Sequence, residues 1–262
     1  MSDELQLARL NGVCTVTLNR PESLNAAGPA MLFALAGLME QLAADESAAL
    51  IVTGAGRAFS AGGDFQHFVK TSRDADYARA TLANARRFIA AMLALPMPVI
   101  AAVNGPAVGF GATLAALSDL VLISDRAYLA EPHINVGLVL GDGIAVTWPL
   151  MMSLLKAKEY ILTGRRITPE QAVDCGLANR VVPHEQLLDE AHTLAAELAT
   201  QPRTALRQTK ALLNLYVRRN METVLDELLQ RQFEQTQGPE HGAIVRRLAA
   251  KQAQKRATEH RA

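Results

Sequence analysis

Apolar and polar residues alternate from Leu5 to Leu18, and the alternation is interrupted only at Asn11-Gly12. Period two on either side of an Asn-Gly pair predicts a β-hairpin, because the tight turn that matches strand twist needs positive φ at both central residues. From Pro29 to Ala44 the apolar spacing becomes three and four, which predicts a helix, and the run Leu50-Ile51-Val52-Thr53 then predicts a short buried strand. A glycine-rich loop covers Gly54 to Gly63, an Ala-rich helical stretch runs from Asp74 to Leu95, and Pro98 introduces another apolar strand, Val99 to Val103. Strand, loop, helix, strand is the rhythm of stacked right-handed βαβ crossovers.

The rhythm continues with a helix from Gly109 to Leu117 and a strand from Leu120 to Ile123. Thr168-Pro169-Glu170-Gln171 has the form of a helix start, with Thr as cap and Pro at the first position, and Ala178 to Val182 reads as one more short strand. From Glu185 onward the pattern is helical almost throughout, broken at Gln201-Pro202 and Gly238-Pro239. The expectation is an α/β core over 1–183 and a helical C-terminal region over 184–262, without repeats or low-complexity linkers.

Composition narrows the function classes. The 262 residues carry 26 Lys+Arg against 26 Asp+Glu and are 50% hydrophobic, which suits a globular protein and leaves no excess positive field for nucleic acid or an acidic membrane. Cys14 and Cys175 are too far apart in sequence to suggest a disulfide framework or a metal-ligand spacing, so a reducing cytoplasm is the expected compartment. The start Met1-Ser2-Asp3-Glu4 is acidic where a signal peptide would be basic, and the most apolar stretch, Phe88 to Ile123, is cut by prolines and by Asp119. His67, His184, His192, His241 and His260 show no ligand spacing, and no metal or separate cofactor is expected.

Two loops that follow predicted strands carry glycines at the edge where an α/β sheet places its ligand. Gly54 to Asp64 fails as a dinucleotide fingerprint, because Phe59 holds the third glycine position, and fails as a phosphate loop for want of Gly-Lys-Ser/Thr. Its Ala58-Phe59-Ser60-Ala61-Gly62 is only a faint echo of a serine-hydrolase elbow, since several residues separate Ser60 from the strand. Asn104 to Ala112 runs straight into a small apolar helix whose open N–H groups favour negative charge. With no basic residue in that loop, an oxyanion fits better than a phosphate; a glycine-rich turn needed only for tight helix packing fits equally well.

Taken together, these segments resemble the crotonase (enoyl-CoA hydratase/isomerase) superfamily from residue 5 to residue 200. Asn19-Arg20-Pro21-Glu22-Ser23-Leu24-Asn25-Ala26 is similar to its N-terminal signature, and Gly56 to Asp64 is similar to its first oxyanion loop. Pro98 to Gly105 with Gly109-Phe110-Gly111 resembles the second loop, and Leu162-Thr163-Gly164-Arg165 and Ala172 to Val182 follow the later pattern. The resemblance implies a coiled ββα-repeat core, a helical region that trimerises into a homotrimer or a dimer of trimers, and chemistry on acyl-CoA thioesters, with CoA arriving as part of the substrate. Carried over by position, the backbone N–H groups of Gly63 and Phe110 form the oxyanion hole. Ser23, Leu24, Ala61, Asp64, Phe65, Gly109 and Thr113 fall where relatives line the substrate and CoA site. The C-terminal aromatic-x-x-Lys element is partly kept, with Lys251 present and Leu248 near the aromatic position.

The chain departs from the family where hydratases carry two glutamates, since Thr113 and His133 stand at those positions. Neither reproduces a carboxylate pair, and the second glutamate, which isomerases often retain, is absent too. The loops Glu131-Pro132-His133 and Gly137 to Gly143 offer a replacement: His133 titrates in a useful range, and Asp142 stands where hydratases have alanine. His133 and Asp142 are therefore the expected acid/base pair, with a structural loop histidine and a turn aspartate as the bland readings. A Pro-His with a Gly-Asp-Gly also resembles the branch that hydrolyses carbon-carbon bonds of β-diketones. A non-catalytic or RNA-binding member is the third reading, and only scattered pairs such as Arg86-Arg87 and Arg218-Arg219 support it.

Overall fold

The computed structural model describes residues 3–141 and 143–259, apart from the side chains of Phe65 and of 251–259. β1 (Leu5–Leu10) and β2 (Val13–Leu18) pair antiparallel with Leu10 opposite Val13. Asn11 and Gly12 take φ of 51° and 75°, the left-handed pair that the hairpin turn demands. A 3-10 turn at Pro21–Ser23 leads to α1 (Pro29–Leu42), β3 (Ala49–Gly54), α2 (Phe65–Thr71), α3 (Ala75–Ala94), β4 (Val99–Val103), β5 (Ala107–Val108) and α4 (Phe110–Ala116). Then come β6 (Leu120–Ser124), β7 (Leu129–Ala130), a 3-10 turn at His133–Val136, α5 (Ile144–Met151), α6 (Leu154–Thr163), β8 (Arg166–Ile167), α7 (Pro169–Asp174) and β9 (Arg180–Val182). A 3-10 turn at His184–Gln186 precedes α8 (Leu187–Ala199), α9 (Arg203–Thr236) and α10 (Pro239–Glu259).

β1-β2-β3-β4-β6-β9 form one sheet, parallel at every pairing after the hairpin, and β5-β7-β8 form a second, smaller one. The bridges Ala27–Gly63 and Ser60–Ala107 extend that second layer toward the N-terminus. Each turn of the coil thus places a long strand in the first layer and a short extended segment in the second, and then a helix. This mixed α/β architecture is the coiled ββα arrangement of the crotonase fold.

Alternation along the long strands divides the core. Ile51, Ile100, Ala102 and Leu122 face Leu187, Ala191 and Ala195 of α8, whereas Leu50, Val52, Ala101 and Ile123 join a larger cluster with Leu35, Met39 and Phe88 from α1 and α3. Both faces of the parallel strands are covered, which is why they read as continuous apolar runs. α9 is anchored by Lys210, whose Nζ lies 2.6 Å from Asp119 and donates to the Met97 carbonyl at 2.7 Å, and by Arg218, which donates to the Leu93 carbonyl at 3.0 Å. Among the described residues no helix is long and apolar enough to cross a membrane.

The predicted capping at Thr168 is present in full: its hydroxyl accepts from the Gln171 N–H, and the Gln171 side chain accepts from the Thr168 N–H. Several elements had no counterpart in the sequence pattern. β5, β7 and β8 have two residues each, too few to show alternation, and α5 is apolar along nearly its whole length with Pro149 inside. α2 also goes beyond the pattern. It starts on Asp64, whose carboxylate accepts from the Gln66 N–H at 2.9 Å.

Candidate active site

The two glycine loops lie against each other backbone to backbone. A Cβ on Gly62, whose φ is 93°, would stand 2.9 Å from the Val108 carbonyl oxygen, and one on Gly111 would stand 2.6 Å from that of Ser60. Glycine is required here for close approach, since no side chain fits between the loops. The approach also decides where N–H groups point. Ala27 donates to the Gly62 carbonyl at 2.7 Å and accepts from the Asp64 N–H at 3.1 Å, so in this parallel bridge the Gly63 N–H faces away from Ala27. Phe110 is the first residue of α4, following Gly109 at φ 49°, and its N–H has no acceptor one turn back. Gly63, Gly109 and Phe110 all line one cavity of about 200 Å³.

His133 lines the same cavity. The Gly109 N–H donates to the Ala130 carbonyl at 2.9 Å, which sets the end of β7, and with it Glu131, beside the second loop. Glu131 is 1% exposed, and its Oε1 accepts both the His133 backbone N–H, at 3.1 Å, and the ring Nδ1 of His133. A carboxylate only accepts, so Nδ1 carries the proton and Nε2 is the basic nitrogen of the ring. Glu131 Oε2 is buried with no hydrogen-bond partner among the described residues. Glu131 thus orients His133 through both its backbone and its ring. The signal for it was in the sequence as a carboxylate two residues before the histidine, with Pro132 fixing the bend.

The other expected residues divide between the cavity and an open groove of about 1530 Å³ that shares Ala61 and His67 with it. Ser23 and Asp64 line the groove, and Leu24 accepts from the Ala61 N–H at 2.9 Å. Asp64 also lies 3.5 Å from the Arg20 guanidinium. Thr113 lies fully buried in α4 with its hydroxyl unpartnered among the described residues and a methyl beside Gly143, and it does not line the cavity. Asp142 and the side chains of Phe65 and Lys251 lie outside the described residues, as does His260.

Three residues that the sequence did not single out for the site surround it. His67 has Nδ1 3.2 Å from the Tyr77 hydroxyl, and burial pushes its pKa down to about 4; Asp64 pulls it up and Lys70 pushes it further down. His241 of α10 is buried with Nδ1 donating to the Val136 carbonyl at 2.7 Å, and burial lowers its pKa. Gln232 of α9 also lines the cavity. Among the described residues no three His, Cys, Asp or Glu side chains gather into a metal site.

The enoyl-CoA hydratase/isomerase family profile matches residues 8–245. The structure is similar to that of an enoyl-CoA hydratase/isomerase from Mycobacterium paratuberculosis, with a TM-score of 0.91 and 42% identity over 94% of this chain and 99% of that one. The sequence is 35% identical over 230 residues to 1,2-epoxyphenylacetyl-CoA isomerase of Escherichia coli, covering 87% of each chain. A β-diketone hydrolase from Anabaena shares the fold at 24% identity, with a TM-score of 0.84 over 90% of this chain and 94% of that one. The protein belongs to the enoyl-CoA hydratase/isomerase family, whose members process acyl-CoA.

Proposed function

We propose that the chain is an acyl-CoA lyase or isomerase in which the N–H groups of Gly63 and Phe110 hold a thioester oxygen while His133, oriented by Glu131, moves the proton. The observation that carries this reading is the buried Glu131 carboxylate on His133 Nδ1, with His133 lining the same cavity as both oxyanion candidates. A proton leaves the carbon beside the thioester for Nε2, the enolate oxygen takes both N–H groups, and the proton returns to substrate carbon. Two fixed donors are worth about 3–4 kcal/mol each to such a charge. Asp142 is the proposed second acid/base group. CoA fits the groove bearing Ser23 and Asp64, which also carries Lys70 and Arg73 for its phosphates.

The Glu131–His133 pair also favours a second reading, hydrolysis of a carbon-carbon bond in a β-diketone. There His133 takes a proton from water, the hydroxide adds to a carbonyl, and the cleaved fragment leaves as an enolate stabilised by the same N–H groups. Exposed Leu212, Leu213, Leu215 and Tyr216 on α9 support a homotrimer or a dimer of trimers, and two free thiols fit a cytoplasmic setting. Incubation with acyl-CoA thioesters and β-diketones, with products identified by mass spectrometry, tests both readings: isomerised or hydrated thioester supports the first, paired carboxylate and ketone the second.

A further inference from the structure

Gln232 sits on α9, 91 residues beyond Gly141, yet its side-chain amide lies across Gly141 so closely that a Cβ there would collide with it. It is 8% exposed and lines the cavity. Its neighbours on this face use their amides inside the protein: Gln235 accepts from the Val139 N–H, and Gln237 donates to the Thr71 carbonyl at 2.9 Å. Of the other polar side chains around the cavity, Thr81 bonds the Tyr77 carbonyl at 2.9 Å, His67 meets Tyr77 and His133 meets Glu131, while Asn135 is exposed to solvent. The Gln232 amide makes no hydrogen bond to any described residue. An amide that lines the cavity with no protein partner leaves its donor and its acceptor open to a ligand atom that matches them.

The rest of the wall is mostly apolar and includes three phenylalanines. Phe88 and Phe110 stand with ring centroids 5.3 Å apart, joined by Phe68, Leu32 and Leu82. A dry cavity of roughly 150 Å³ already accepts benzene, so about 200 Å³ suits one ring with a substituent and is short for a long alkyl chain. We infer that the acyl group held here is compact and cyclic and carries, besides the thioester carbonyl, a neutral hydroxyl or keto oxygen bonded to the amide of Gln232. An amide offers both a donor and an acceptor without charge, which matches a hydroxyl or ketone and not a carboxylate or an ammonium. The inference rests on the cavity being the acyl site.

Isothermal calorimetry compares phenylacetyl-CoA, its 2-, 3- and 4-hydroxy derivatives and dodecanoyl-CoA on wild type and on Gln232→Leu, with Gln232→Met as the second variant if the first does not fold. At least one hydroxylated thioester should bind wild type about tenfold tighter than phenylacetyl-CoA, and the variant should lose that preference while keeping its affinity for phenylacetyl-CoA. The inference is overturned if no hydroxyl position gains, if the preference survives the substitution, or if dodecanoyl-CoA binds tightest. A parallel series of free phenylacetone and its ring-hydroxylated derivatives separates the two readings. A Gln232-dependent preference there without thioester binding supports the ring-oxygen contact and overturns the thioester part of the inference, and no binding in either series overturns the whole.

Discussion

Glu131 and His133 are two residues apart, and one oxygen of the buried carboxylate accepts both the backbone N–H and the ring Nδ1–H of the histidine. The contact fixes tautomer and ring plane together, as the carboxylate does in a Ser-His-Asp triad, so losing it should cost chemistry more than binding. Glu131→Gln should lower kcat by about 10²–10⁴-fold with the affinity for a CoA thioester nearly unchanged. His133→Ala should fall to a similar level, and the double variant no further, because the two act as a unit. Steady-state kinetics on the substrate found by product analysis read this; additive losses would show independent roles.

The oxyanion loops make a steric prediction. Gly111→Ala places a methyl 2.6 Å from the Ser60 carbonyl oxygen and forces the loops apart. Turnover should drop about tenfold or more as the Phe110 N–H shifts, with a stability loss of about 1–3 kcal/mol measured by urea melts.

His67 predicts how stability depends on pH. Its folded pKa of about 4 lies below the ordinary value of 6.5, chiefly because of burial, so the unfolded chain binds this proton first as the pH falls. The neutral-histidine contribution is therefore complete above pH 6.5 and lost between about 6.5 and 4, a span of a few kcal/mol. Urea melts of His67→Gln across that window should show a shallower loss than wild type.

Lys210 and Asp119 tie α9 to the sheet, and Lys210 is 7% exposed. Burial lowers the lysine's pKa while Asp119 opposes that shift, so the charge depends on its partner. Asp119→Asn should destabilise by about 3–5 kcal/mol in denaturant melts, more than Lys210→Met, because only the former leaves a buried charge unpaired.

How far the sequence carried depended on the range of the cause. Asn11-Gly12, the Thr168 box and the alternating strands are local, and they appear where the pattern puts them. The glycines at 62, 63, 109 and 111 read correctly as a feature but not as geometry, since close approach of two loops about 50 residues apart is a tertiary fact. Glu131 was visible beside His133, but its burial was not. Gln232 left no trace, because a glutamine in a 34-residue helix with little apolar periodicity looks like any solvated position.

In the proposed site Gly63 and Phe110 aim two N–H groups at one thioester oxygen, and carbonyl polarisation reads this without turnover. Difference absorbance of an aryl-conjugated enoyl-CoA on the protein should shift to longer wavelength, because hydrogen bonds to the carbonyl draw electron density through the conjugated chain. The shift should persist in Glu131→Gln and shrink in Gly111→Ala and in Gly63→Pro, which removes one donor. A bound thioester with no shift, or a shift untouched by either glycine substitution in folded protein, would contradict the account.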